Sequence, residues 1–78
     1  MSSCELFFND DGDVVYVGGY DRAILEHVKR LTNRTWCPDG SEFHDGPHWL
    51  MRGVTQDQLN ELYDLCRDRY DEVTSEEM

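Results

Sequence analysis

Side chains that could bind a metal or act as nucleophiles gather between residues 37 and 48. Cys37, His44 and His48 lie in this segment, and the spacing of the two histidines equals that in the second half of a zinc finger. The paired cysteines of a first half are absent, so Cys4 or Cys66 would have to supply a fourth ligand. We therefore expect a surface loop with two exposed histidines and no cofactor. Zinc binding by Cys37, His44 and His48 is the alternative.

The same segment is a poor candidate for catalysis. Cys37 could pair with His44 or His48 as a thiol and an imidazole, but nothing in the sequence supplies an oxyanion hole or a third positioned group. A chain of 78 residues also has little material with which to wall off a substrate pocket. The sequence predicts no catalytic residues and no enzyme activity.

Carboxylates recur at helical spacing near the end of the chain, at positions i, i+4, i+7, i+11 and i+14. On a helix they form one line about 20 Å long, opposite an apolar side that contains Leu62 and Cys66. A row of this kind can imitate the phosphates of one nucleic-acid strand, although a solvated outer helix face would show the same pattern. The predicted partner-binding residues are Asp57, Glu61, Asp64, Asp68 and Asp71.

The net charge of the chain favours a basic protein as its partner. Seventeen acidic and seven basic residues give a net charge of −10, which repels phosphate backbones and anionic membranes and attracts cationic surfaces. We expect a cytoplasmic protein-binding module, such as a phage- or plasmid-type inhibitor or nucleic-acid mimic. Adaptation to high salt would also produce acidity, and it would spread the charge over the loops. Six acidic residues do lie in loops: Asp10, Asp11, Asp13, Asp39, Glu42 and Asp45.

The elements that must position these residues follow from hydrophobic periodicity and turn chemistry. The expected order is ββαββα, an α+β domain with a mostly antiparallel sheet and two helices on one face. Asp21 caps a helix that runs to about Thr32, and a capping box at Thr55 starts one that runs to about Asp71 or Val73. The expected strands are Cys4–Phe8, Val14–Val17, Arg34–Trp36 and Trp49–Met51. Residues 1–73 form the domain, and 74–78 are expected to be a flexible acidic tail.

The two tryptophans should lie on adjacent strands. They favour a core or half-buried position, with a stacking platform for bases or for a partner's side chains as the alternative. A structural role with self-association is a further alternative, through a face formed by Tyr16 and Phe43 near the tryptophans. The sequence leaves the oligomeric state open.

The order of these features resembles the HARP-type domain of annealing helicases. The resemblance rests on Tyr20-Asp21, a helix with Val28-Lys29, an Arg34-x-Trp36 strand, a second strand with Trp49 and a closing helix. It covers about Val14 to Leu65, although the segment between the tryptophans is long here. The resemblance implies recognition of single-stranded or branched DNA through Arg34, Trp36 and Trp49.

Overall fold

The computed structural model describes residues 2–31 and 33–78, and within them the chain forms one five-stranded sheet. The strands are β1 (Ser3–Phe8), β2 (Val14–Val17), β3 (Arg34–Cys37), β4 (His48–Met51) and β5 (Glu72–Glu77). Their order across the sheet is β3-β4-β2-β1-β5, with every pair antiparallel except β1 and β5. The predicted α+β class and mostly antiparallel sheet are confirmed.

Two helices, α1 (Arg22–Lys29) and α2 (Gln56–Arg69), begin at the predicted caps. The side chain of Asp21 accepts hydrogen bonds from the backbone N–H groups of Ala23 and Ile24. At α2, Thr55 and Gln58 form both bonds of a capping box, which satisfies amides that the helix itself leaves free. The predicted end of the first helix at Thr32 lies outside the described residues.

Both helices cover the same face of the sheet. The strand register places Leu6, Tyr16 and Trp49 side by side on this face. The helices bury their apolar stripes against it, and among the described residues eight side chains of this core are 2% exposed or less: Cys4, Leu6, Val14, Ile24, Val28, Met51, Leu62 and Cys66. At about 25 cal/mol per Å² of apolar area, this burial is the main stabilising contribution in so short a chain.

The C-terminal residues that were predicted to be a flexible tail form strand β5 instead. α2 ends at Arg69 rather than at Asp71 or Val73, because Tyr70 turns to an extended conformation and its hydroxyl bonds the Tyr16 hydroxyl at 2.6 Å. The chain then runs parallel to β1, with Val73 opposite Cys4. Backbone pairing with β1 satisfies groups that a frayed tail would leave to water.

The segment between the tryptophans covers the second face of the sheet. The His44 ring stacks on Phe7 with centroids 5.4 Å apart, and Phe43 lies under the guanidinium of Arg52. Val15 on this second face is fully buried. Both faces of the sheet are therefore covered near its centre.

Candidate functional site

The histidines of the loop serve its folding, which corrects the expectation that both are exposed. His48 is only 1% exposed, and its two ring nitrogens are both engaged, Nε2 with Ser41 Oγ at 2.9 Å and Nδ1 with Gly46 O at 2.8 Å. The His44 ring packs edge-on against that of His48. A buried imidazole with both nitrogens hydrogen-bonded has no lone pair to offer a metal or a thiol.

The structure brings Cys37, His44 and His48 near one another but keeps the candidate fourth ligands, Cys4 and Cys66, away from them. Cys37 is half-buried and lies opposite His48 in the sheet register, and its thiol contacts Thr35 O at 3.9 Å. Cys4 and Cys66 are buried in the core on the other side of the sheet. Across residues 2–31 and 33–78, no three His, Cys, Asp or Glu side chains are arranged to hold a metal ion.

The acidic line on the last helix is present but shorter than expected. Asp57, Glu61, Asp64 and Asp68 are all exposed on the outer side of α2, and we call these four residues the acidic face. Asp71 is not a member, because the helix has ended before it and its carboxylate accepts a hydrogen bond from the Ser2 amide at 3.2 Å. Four carboxylates therefore stand where five were predicted.

The acidic face takes no part in the ion pairs found among the described residues. These pairs join Arg22 to Glu26, Arg52 to Asp13 and Arg69 to Asp21. Arg67, the remaining arginine on α2, lies over the Tyr63 ring. The carboxylates of the acidic face are thus left to solvent or to a partner.

Two acidic residues are held by the fold instead. A hydrogen bond from Asn9 and an ion pair with Arg52 hold the pKa of Asp13 below its usual range, against the effect of burial. Burial opposes ionisation of Asp21, but Arg69 and the two amides at the start of α1 outweigh it, and its pKa is also lowered. These carboxylates are structural, whereas those of the acidic face have no such partners.

Charge is segregated along the chain and across the fold. Residues 56–78 contain eight acidic and two basic residues, whereas residues 22–37 contain four basic residues and one acidic residue. α2 packs beside β5, at one edge of the sheet, and the positive segment contains α1 and β3, at the other edge. The C-terminal segment is therefore strongly acidic, whereas the segment of α1 and β3 has an excess of basic residues.

The tryptophans lie on adjacent strands as expected, but Trp36 is not in the core. It is 47% exposed because β3 is an edge strand, while its neighbour Trp49 is half-buried and their rings lie 5.4 Å apart. Tyr20 and Leu25 complete a shallow apolar depression with the two tryptophans, and we call these four residues the aromatic patch.

Arg34 lies beside this aromatic patch. It is on the same face of β3 as Trp36, and its guanidinium donates to Leu31 O at 3.1 Å. The three residues implied by the HARP resemblance, Arg34, Trp36 and Trp49, are thus neighbours. Sequence reasoning missed Tyr20 and Leu25. No local pattern indicated that Tyr20 and Leu25 would meet the tryptophans, because the depression joins residues from distant segments of the chain.

A self-associating face around Tyr16 and Phe43 is not present, which corrects that alternative. Tyr16 is 4% exposed, and its hydroxyl is bonded to that of Tyr70. Phe43 lies on the opposite side of the sheet against Arg52. The two aromatic residues do not share a surface.

Comparison of the chain with models of known protein families, with curated proteins and with solved structures finds no match. None of the helices within the described residues has the length and apolar character needed to cross a membrane.

Proposed function

We propose that the chain is a non-enzymatic binding module whose acidic face docks on the basic surface of a nucleic-acid-binding protein. The observation that carries this proposal is the arrangement on α2, where four exposed carboxylates form one line and stand outside the ion pairs of the fold. Like charges at helical spacing destabilise a helix by a few tenths of a kcal/mol per pair. A cationic partner would remove this repulsion.

The mechanism is competition for a phosphate-binding surface. Carboxylates on successive turns lie about 5–6 Å apart, so their row presents negative charge to a groove that normally grips a nucleic-acid backbone. The glutamates of β5, Glu72, Glu76 and Glu77, extend the negative field beyond the helix. Long-range attraction then raises the association rate, and the effect weakens with salt. A small inhibitor encoded by a phage or plasmid would act in this way.

Support for a binding role also comes from the way the reactive side chains are used. His48 has both ring nitrogens in structural hydrogen bonds, and the thiols of Cys4 and Cys66 are buried. Burial raises the pKa of both thiols, which disfavours the nucleophilic thiolate. These groups stabilise the fold, which leaves the exposed carboxylates as the groups available to bind another protein.

The test is capture of basic proteins from a nuclease-treated lysate on the immobilised chain, with duplex DNA as competitor. We expect the double variant Asp64→Lys/Asp68→Lys to lose the captured protein and to keep its fold. The matched control is Asp39→Lys/Asp45→Lys, which changes the net charge equally in an exposed loop. The control should retain the captured protein, because its changes lie away from α2.

A second measurement connects capture to function. The purified captured protein should lose DNA binding when the wild-type chain is added, and it should keep DNA binding with the α2 variant. Equal loss of capture in both double variants would show that net charge alone is responsible, and the role proposed for the acidic face would then be wrong.

A further inference from the structure

The aromatic patch lies at the open edge of the sheet, on the side away from the acidic face. Tyr20 is 83% exposed and Trp36 is 47% exposed, and both border Leu25 and Trp49. Natural proteins usually protect a free sheet edge with charge, proline or a covering loop, so large exposed aromatic side chains at such an edge mark an interaction site. The question is which kind of partner this edge fits.

The backbone of β3 is open to pairing. The Arg52 amide donates to Asn33 O at 3.1 Å, which makes these two residues a hydrogen-bonded pair of the antiparallel ladder. Because such pairs alternate, Arg34 and Trp36 occupy non-hydrogen-bonded positions, opposite Met51 and Trp49. Their N–H and C=O groups therefore point away from β4, toward the free edge. This alternation also brings the two tryptophan side chains close together.

The segment that forms α1 and β3 carries charge opposite in sign to that of the whole molecule. Four of the seven basic residues but only one of the seventeen acidic residues lie between positions 22 and 37. Arg22 and Lys29 share the side of α1 on which Leu25 lies, given about 100° per residue. Arg34 is next to Trp36 on the same face of β3. The aromatic patch thus has cationic side chains on its helix side and on its strand side.

From these three observations we propose that the β3 edge and the aromatic patch bind an extended, acidic segment of a partner protein. The segment pairs as an added strand with the free backbone groups of Arg34 and Trp36. One of its apolar side chains packs on the tryptophans, and its carboxylates lie near Arg34 and Lys29. The site is separate from the acidic face, so this proposal does not depend on the proposed function.

A peptide fits this edge better than a nucleic acid does. The strand offers N–H and C=O groups in alternation, which is the complement of another extended polypeptide. A polyanionic backbone would meet the long-range repulsion of a chain with a net charge of −10, whereas a short peptide brings only a few carboxylates, which the basic side chains of α1 and β3 can pair.

Intrinsic fluorescence reports directly on this site, because the chain has two tryptophans and both lie in the aromatic patch. The probe is a short peptide that alternates Glu and Val, and the matched controls are a Lys–Val peptide and a Glu–Val peptide with alternate amides N-methylated. We expect saturable emission changes with the first peptide only. The N-methylated peptide should bind at least about tenfold more weakly, because it cannot complete the ladder.

Two variants test the contribution of the protein. Arg34→Glu should weaken binding of the Glu–Val peptide by roughly tenfold, and Arg67→Glu, an equal change of charge on α2, should leave it unchanged. Equal binding of the N-methylated peptide, or preferential binding of oligothymidylate, would overturn the proposal. The proposal would also be overturned if the emission changed with protein concentration in the absence of peptide and the sedimenting mass rose in parallel. A second copy of the chain would then occupy the edge.

Discussion

The carboxylate of Asp21 joins the start of α1 to the end of α2. One oxygen accepts hydrogen bonds from the amides of Ala23 and Ile24, and the other accepts from Arg69 Nε at 2.9 Å. A single side chain thus satisfies a helix terminus and pairs with a residue 48 positions away. Loss of this carboxylate should therefore affect both the helix and the contact between helices.

We predict that Asp21→Ala lowers the free energy of unfolding by about 1–2 kcal/mol, and that Asp21→Asn lowers it by less. Alanine removes both the cap and the ion pair, whereas asparagine remains a good N-cap. The ion pair is partly exposed and contributes less than the cap. Urea denaturation followed by circular dichroism measures these differences. Equal losses in the two variants would mean that the pairing with Arg69 dominates.

A second prediction concerns strand β5. Removal of residues 72–78 should lower the free energy of unfolding by roughly 2 kcal/mol or more, because the ladder with β1 is lost and Cys4 loses its neighbour Val73. Thermal and urea denaturation of the truncated chain measure the effect. The control is Glu76→Gln/Glu77→Gln, which removes charge and keeps the strand, and it should change stability by less than about 0.5 kcal/mol. Unchanged stability of the truncated chain would show that the strand does not contribute.

Strand β5 is also the element that the sequence did not predict. The capping box, the β-branched and aromatic run of β2 and the apolar stripes of the helices are local patterns, and they led to the correct class and order. The segment Glu72–Glu77 is polar and rich in glutamate, so it has no strand signal of its own. Its conformation comes from pairing with β1, about seventy positions earlier in the chain.

The placement of the candidate residues depends on the same difference between local and tertiary interactions. The four residues of the acidic face could be placed on one side of a helix from their spacing alone. Asp71 does not lie on that helix, because Tyr70 ends it and contacts Tyr16. His48 is buried because the loop folds back over the sheet, and no local sequence pattern predicts that folding. The exposure of Trp36 depends on the place of β3 in the strand order, and that order is a tertiary property.

A third prediction is a loss of stability at alkaline pH. Burial is the main cause that raises the pKa of the Tyr16 hydroxyl and of the Cys66 thiol well above their ordinary values of 10.0 and 9.0. In the unfolded chain these groups release protons near their ordinary values, whereas in the folded protein they stay protonated. The unfolded state therefore binds fewer protons above about pH 9, and the free energy of unfolding falls as pH rises.

The measurement is the urea midpoint between pH 8 and pH 11. In Tyr16→Phe the decline above about pH 10 should become shallower, because one group that ionises only on unfolding has been removed. The decline that starts near pH 9 should remain, since Cys4 and Cys66 are unchanged in this variant. A midpoint that stays constant over the whole range would contradict the burial of these groups.

The last prediction separates the three cysteines by their reaction with iodoacetamide. Cys37 is half-buried on the edge strand β3, whereas Cys4 and Cys66 are buried together in the core, where burial is the main cause that raises their pKa values. In the native protein we expect Cys37 to react first and the other two to react on the order of a hundredfold more slowly, through opening of the fold.

Peptide mass spectrometry over time assigns each modification, and a denatured sample in which all three thiols react serves as the reference. In Cys37→Ser the rapid phase should disappear while the slow phase is unchanged. Modification of Cys66 as fast as that of Cys37 would contradict the packing of α2 against β1.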